Sequence, residues 1–98
     1  MLLVKAAMGI QRVRDQWPVS FGELRVALTF NRKLWTVFMG SSVRDDNTLP
    51  AAVRQNVANL GIFILNETRE ILLEPTAPAK LDVLININRQ LAAGLRGS

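Results

Sequence analysis

The sequence has no cysteine, no histidine and no tyrosine. Without cysteine there is no disulfide frame, no thiolate metal ligand and no thiol nucleophile. Without histidine the commonest general base and the commonest metal-binding side chain are both missing. Enzymatic readings therefore start weak, and no catalytic residue, metal ligand set or cofactor site is expected. Long apolar runs are lacking too: none approaches the ~20 residues of a membrane span. The opening Met1-Leu2-Leu3-Val4 is cut by Lys5 and is too short for the apolar part of a signal peptide. These absences point to a cytoplasmic, soluble protein with no membrane partner and no catalytic chemistry.

What is present is a helical pattern from end to end. The 98 residues suit one domain, and 49% of them are hydrophobic, enough for a single core. Val, Ile and Phe recur at three and four residues rather than at two, which excludes alternating strands. The spacing predicts a first helix over about 2–15, with Leu3, Ala6, Ala7, Ile10 and Val13 on one side and Trp17-Pro18 closing it. Ser20-Phe21-Gly22-Glu23 reads as a capping box and opens a second helix over about 20–43. The polar turn Arg44-Asp45-Asp46-Asn47-Thr48 follows, and Pro50 fits the start of a third helix over about 50–73. The break Glu74-Pro75-Thr76-Ala77-Pro78 leads to a fourth helix over about 79–95, with Leu81, Leu84, Ile85, Leu91 and Leu95 on one face. The expected architecture is all-α: a single small domain, 1–98, of four helices with short connections, bundle-like with antiparallel neighbours.

Two asparagines interrupt the apolar faces. On the second helix Leu24, Leu28, Trp35 and Phe38 share a face with Asn31 in its middle, and Asn88 stands among the leucines of the fourth. A polar amide on an apolar face needs a partner. It finds one in a helix end, a loop carbonyl or the other asparagine, fixing how helices two and four register, or else in the backbone of a bound partner. Trp35 and Phe38 read as core or as surface anchors, whereas Arg32, at the edge of the polar arc, is free to clamp a carboxylate or lie over a ring. The residues singled out as partner contacts are Asn31, Arg32 and Trp35, with Asn88 and Arg89 beside them if helices two and four are adjacent.

Other features carry less. Glu67, Glu70 and Glu74 have no facing acidic or histidine cluster with which to form a di-metal site. Asp45-Asp46-Asn47 lacks the length of a calcium loop, and Asn66-Glu67-Thr68, inside a helix, is a chance glycosylation match. In the third helix Leu60-Gly61-Ile62-Phe63-Ile64-Leu65 is apolar all round, which predicts cover on most sides, with a close helix crossing at Gly61. That apolar surplus would suit either a groove for a partner helix or a homo-oligomer, and the sequence does not separate the two.

The formal charge of +4 is concentrated at the N-terminal end: residues 1–44 hold seven Lys and Arg against two acids, residues 45–98 five against six. Such an excess suits a solvated face, an acidic partner or RNA. Lys5, Arg12, Arg14, Arg25, Arg32 and Lys33 have only Trp17 and Phe21 near them as stacking platforms, and no RNA-binding signature is present.

Five segments in series are distinctive: Ala27-Leu28-Thr29-Phe30-Asn31-Arg32-Lys33-Leu34-Trp35, Asp46-Asn47-Thr48-Leu49-Pro50, Ala58-Asn59-Leu60-Gly61-Ile62-Phe63, Leu84-Ile85-Asn86-Ile87-Asn88-Arg89 and Gly94-Leu95-Arg96-Gly97. In this order and spacing they resemble the flagellar biosynthesis regulator FlaF family over about residues 20–97, the first helix less distinctively. The resemblance implies a small helical, non-enzymatic cytoplasmic protein of alphaproteobacterial flagellar systems, needed for normal flagellin production and filament assembly. It implies action with the regulator FlbT and engagement of flagellin before export, with RNA-level control of flagellin synthesis as the alternative. Members of the family also carry an N-terminal segment ahead of the first helix, whereas this sequence begins almost at that helix.

Overall fold

A computed structural model describes residues 1–75 and 78–97, so Thr76 and Ala77 of the expected break, and Ser98, lie outside the described residues. The chain forms α1 (Leu2–Asp15), α2 (Phe21–Ser42), α3 (Ala51–Leu73) and α4 (Ala79–Gly97). No strand occurs among the described residues. The all-α, bundle-like class expected from the periodicity is the class observed.

Local chemistry sets the helix boundaries. The Ser20 hydroxyl accepts the Glu23 amide at 3.1 Å, so the serine half of the capping box is formed. The return bond from Glu23 is not made; its charge in the first turn complements the helix dipole without it. Between α2 and α3 the Asn47 side chain works in both directions, accepting the Leu49 amide at 2.9 Å and donating to the Ser41 carbonyl at 2.9 Å. Arg44 pairs with Asp46 at 3.0 Å in the same turn.

Cross-helix contacts give the direction of each helix. Lys5 lies over the Phe30 ring, Met39 packs on Gly61, and Arg14 reaches Asp82 while Arg89 donates to Gln11. Each helix therefore runs antiparallel to the one before it, and α4 lies antiparallel to α1. Contact is most extensive between α1 and α4 and between α2 and α3, smaller between α1 and α2, and slightest between α3 and α4. The result is elongated, 42 × 25 × 17 Å.

The faces read from spacing in α1, α2 and α4 turn inward, with Phe38, Leu91 and Leu95 half-buried at their edges. Leu3, Ala6, Ala7, Ile10 and Val13 of α1 are buried, with Leu24, Leu28 and Trp35 of α2, Val57, Ile64 and Ile71 of α3, and Leu81, Leu84 and Ile85 of α4. One expectation is corrected. The greasy stretch of α3 is not covered on most sides: Ile62 is 55% and Phe63 43% exposed, because α3 has α2 on one flank and only slight contact with α4 on the other.

The close crossing at Gly61 is present. Gly61 is buried, and a Cβ there would overlap the Met39 side chain. Gly61→Ala gains ~1 kcal/mol of helix propensity but overpacks the crossing by more, so a net loss of about 1 kcal/mol is expected. With Met39→Ala already in place, the same change should stabilise by about 1 kcal/mol. Denaturant melts of the four proteins in this cycle check the reversal of sign.

Candidate functional site

Asn31, Trp35 and Asn88 meet in the interior. The Trp35 indole N–H donates to Asn88 Oδ1 at 2.9 Å, and Asn88 Nδ2 donates to Asn31 Oδ1 at 2.6 Å. All three residues are fully buried. The indole ring is tilted against Phe38, with centroids 5.8 Å apart. The backbones of α2 and α4 do not approach each other closely, so this side-chain chain joins two helices across the diagonal of the bundle. Polar groups this deep are tolerated because they satisfy each other. The satisfaction is incomplete: among the described residues Asn31 Nδ2 and Thr68 Oγ1 find no hydrogen-bond partner. The antiparallel register that sets Met39 on Gly61 brings Thr68 to nearly the level of Asn31, so both orphaned atoms belong to one polar layer.

The five residues singled out as contacts are placed differently. Asn31, Trp35 and Asn88 are fully buried and link α2 to α4. Of the five residues singled out, Arg32 and Arg89 alone are exposed. Arg89 is turned to Gln11 on α1. Arg32 lines a shallow cationic depression with Lys33 and Arg69, walled by Val37 and Leu65.

Sequence reasoning missed a groove of about 720 Å³ between α1 and α2. Its floor is small and apolar, built by Ala6, Gly9 and Val13 of α1 with Ala27 of α2, while the exposed Gly22 lines its end. Phe30 and Val26 form one wall, and Lys5 and Arg12 stand on the other. From Lys5 to Gln16 it runs about 16 Å, three helical turns. A signal for it was available. Val26, Phe30 and Val37 fall on the polar side of the α2 wheel, where apolar side chains have no core to enter, and they are 72%, 39% and 70% exposed. A second groove, about 560 Å³, follows the slight α3–α4 contact and is lined by Val53, Leu60, Ile87 and Leu91.

Charge is spread unevenly around these grooves. Arg14 bonds Asp82 at 2.5 Å and Asp15 at 3.1 Å, and these bonds, that to Asp82 first, raise its pKa above the ordinary guanidinium value. Among the described residues no group of three or more acidic, histidine or cysteine side chains is placed to hold a metal ion, and no helix is long and apolar enough to cross a membrane. The arrangement offers shaped apolar surface with cations around it.

No curated protein and no solved structure matches the sequence. The family model for flagellar protein FlaF matches residues 1–95, taking in α1 as well as the segments from α2 onward, and the chain belongs to that family.

Proposed function

We propose that the protein is a non-enzymatic, cytoplasmic regulator of flagellum assembly that holds a helical segment of flagellin before export, in the groove between α1 and α2. Membership of the FlaF family supplies the flagellar setting. The observation that carries the mechanism is the groove: three turns long, floored by alanine and glycine so that a helix backbone can approach closely, and walled by exposed Phe30 and Val26. Holding flagellin in this way would couple its supply to its export. FlbT enters as a second partner through the family resemblance alone.

Gly9 makes the test clean. It lies on the groove floor, and a Cβ added there meets no atom within 4 Å. Gly9→Leu therefore starts its side chain in open space, is expected to fill the groove rather than the core, and adds roughly 0.5–1 kcal/mol of helix stability. Wild-type protein at tens of micromolar, about the range that reports micromolar affinity, is expected to stabilise or shift flagellin in thermal and native-gel assays. Gly9→Leu should melt no lower than wild type and bind flagellin at least about tenfold more weakly, a difference of ~1.4 kcal/mol. If wild-type protein leaves flagellin unaffected, direct binding is removed.

The RNA alternative has less support, because Phe30 is the one ring lining the groove and no RNA-binding signature accompanies it. It predicts binding to the flagellin transcript leader that falls steeply with salt.

A further inference from the structure

Among the described residues the cations around the α1–α2 groove lack carboxylate partners. Lys5 and Arg12 rim it on α1, and Arg25 and Lys33 flank Val26 and Phe30 on the other side. Arg32 and Arg69 continue the line past Val37. Among the described residues none of these six lies within salt-bridge distance of a carboxylate. The paired arginines, Arg14 and Arg44, are elsewhere, where they use Asp15, Asp82 and Asp46. Glu23 is the single acid in the groove lining, at its mouth, where it serves the α2 N-terminus.

Position sharpens this. Lys5 Nζ is held 5.7 Å from the Phe30 ring centroid, which keeps one cation at the groove wall instead of leaving it to swing in solvent. Val26, Phe30 and Val37 stand at helical spacing along the outer side of α2. The surface thus has an apolar stripe with basic margins, about 16 Å long from Val26 to Val37. A nucleic acid strand would pair with the margins but would find a single ring, Phe30, between Val26 and Val37 where it needs several in succession. An amphipathic helix pairs with both.

We infer that this surface selects a client helix with carboxylates on both flanks of its apolar face. The inference rests on the client-holding reading above and adds the chemistry of the client. Charges at such a rim act on association rate and specificity more than on the apolar contact itself.

The test uses the full chain and three synthetic helical peptides, each about 18 residues, long enough to span the stripe. They share one apolar face and carry Glu, Gln or Lys on the flanks; a uridine oligonucleotide is the fourth ligand. The Glu-flanked peptide is expected to bind about tenfold tighter than the Gln-flanked one at low salt, the gap closing as added salt shortens the screening length. Lys5→Glu with Arg12→Glu should abolish the preference for Glu over Gln and leave the Gln-flanked affinity within about twofold. Gly9→Leu should weaken both peptides. Equal binding of Glu- and Gln-flanked peptides, tighter binding of the oligonucleotide than of any peptide, or peptide binding unaffected by Gly9→Leu would each overturn the inference. Flagellin itself separates the two proposals. Flagellin bound with a flat salt response, indifferent to the charge reversals, sinks the carboxylate rule and keeps the client. Selective binding of the Glu-flanked peptide with no binding of flagellin does the reverse.

Discussion

Trp35→Ala is expected to lower the unfolding free energy by about 3–5 kcal/mol, the range for emptying a fully buried large aromatic site. Trp35 has no exposed surface, packs against Phe38 and donates its indole N–H to Asn88. The substitution therefore opens a cavity and strands an acceptor at once. For a chain of this size each 1 kcal/mol moves the melting temperature by roughly 4–8 °C, so the midpoint should fall by more than ~10 °C. The same measurement tests the role of the residue. A surface anchor would lose its partner and keep its melting temperature, whereas a core residue loses the fold first. Trp35→Phe separates the two parts of the effect: it keeps most of the ring volume and removes the donor, and about 1–3 kcal/mol should be lost through the unpaired Asn88 oxygen.

Asn88→Ala should match that loss with far fewer atoms removed. Asn88 is the middle member of the chain, accepting from Trp35 and donating to Asn31. Removing it strands a buried donor and a buried acceptor, each worth about 1–3 kcal/mol, for a total of about 3–4 kcal/mol. Asn31→Leu is the milder change. It removes the donor Asn31 Nδ2, which already lacks a partner, and strands only the Asn88 amide. Combining Asn31→Leu with Asn88→Leu should therefore cost less than the sum of the two, with a coupling of about 1–3 kcal/mol. Chemical denaturation with unchanged m-values checks all four proteins of this cycle. A strictly additive result would show that the two amides do not depend on each other.

Much of the fold was legible because the determinants are local. The Ser20 cap, the Asn47 turn and the prolines at 50 and 78 act within a few residues, and so the punctuation could be read along the chain. The buried stripes followed from spacing. Gly61 was legible as a crossing because a glycine inside an apolar helix has few other uses. The asparagines were legible as a pair seeking partners, but their partner set was only partly so. The meeting of Asn31 with Asn88 was among the alternatives; the donation from Trp35 depends on which side chains cross the diagonal, a tertiary fact with no local trace. The groove was missed for a related reason. Its residues are small, and alanine or glycine on a helix face looks the same whether a neighbour covers it or a cleft runs over it. The exposed Val26 and Phe30 were the available clue, and they mattered only once α1 was known to lie beside them. The greasy stretch of α3 misled because all-round hydrophobicity signals cover, while its outer side chains are open.

The uneven contact between helices has a mechanical consequence. With α1 pressed to α4 and α2 pressed to α3, and both remaining seams looser, the molecule is two slabs laid one upon the other. Both apolar grooves lie along the edges where the slabs meet. A guest helix placed at either edge lengthens the join and splits neither slab, so uptake demands no opening of the core. The Trp35–Asn88–Asn31 chain crosses from one slab to the other like a dowel through two boards. Sliding by a single helical turn, about 5.4 Å, would pull it apart and leave every one of its polar atoms unpaired in an apolar interior. Shear along the join is thereby blocked at the centre while the margins stay free to receive another chain.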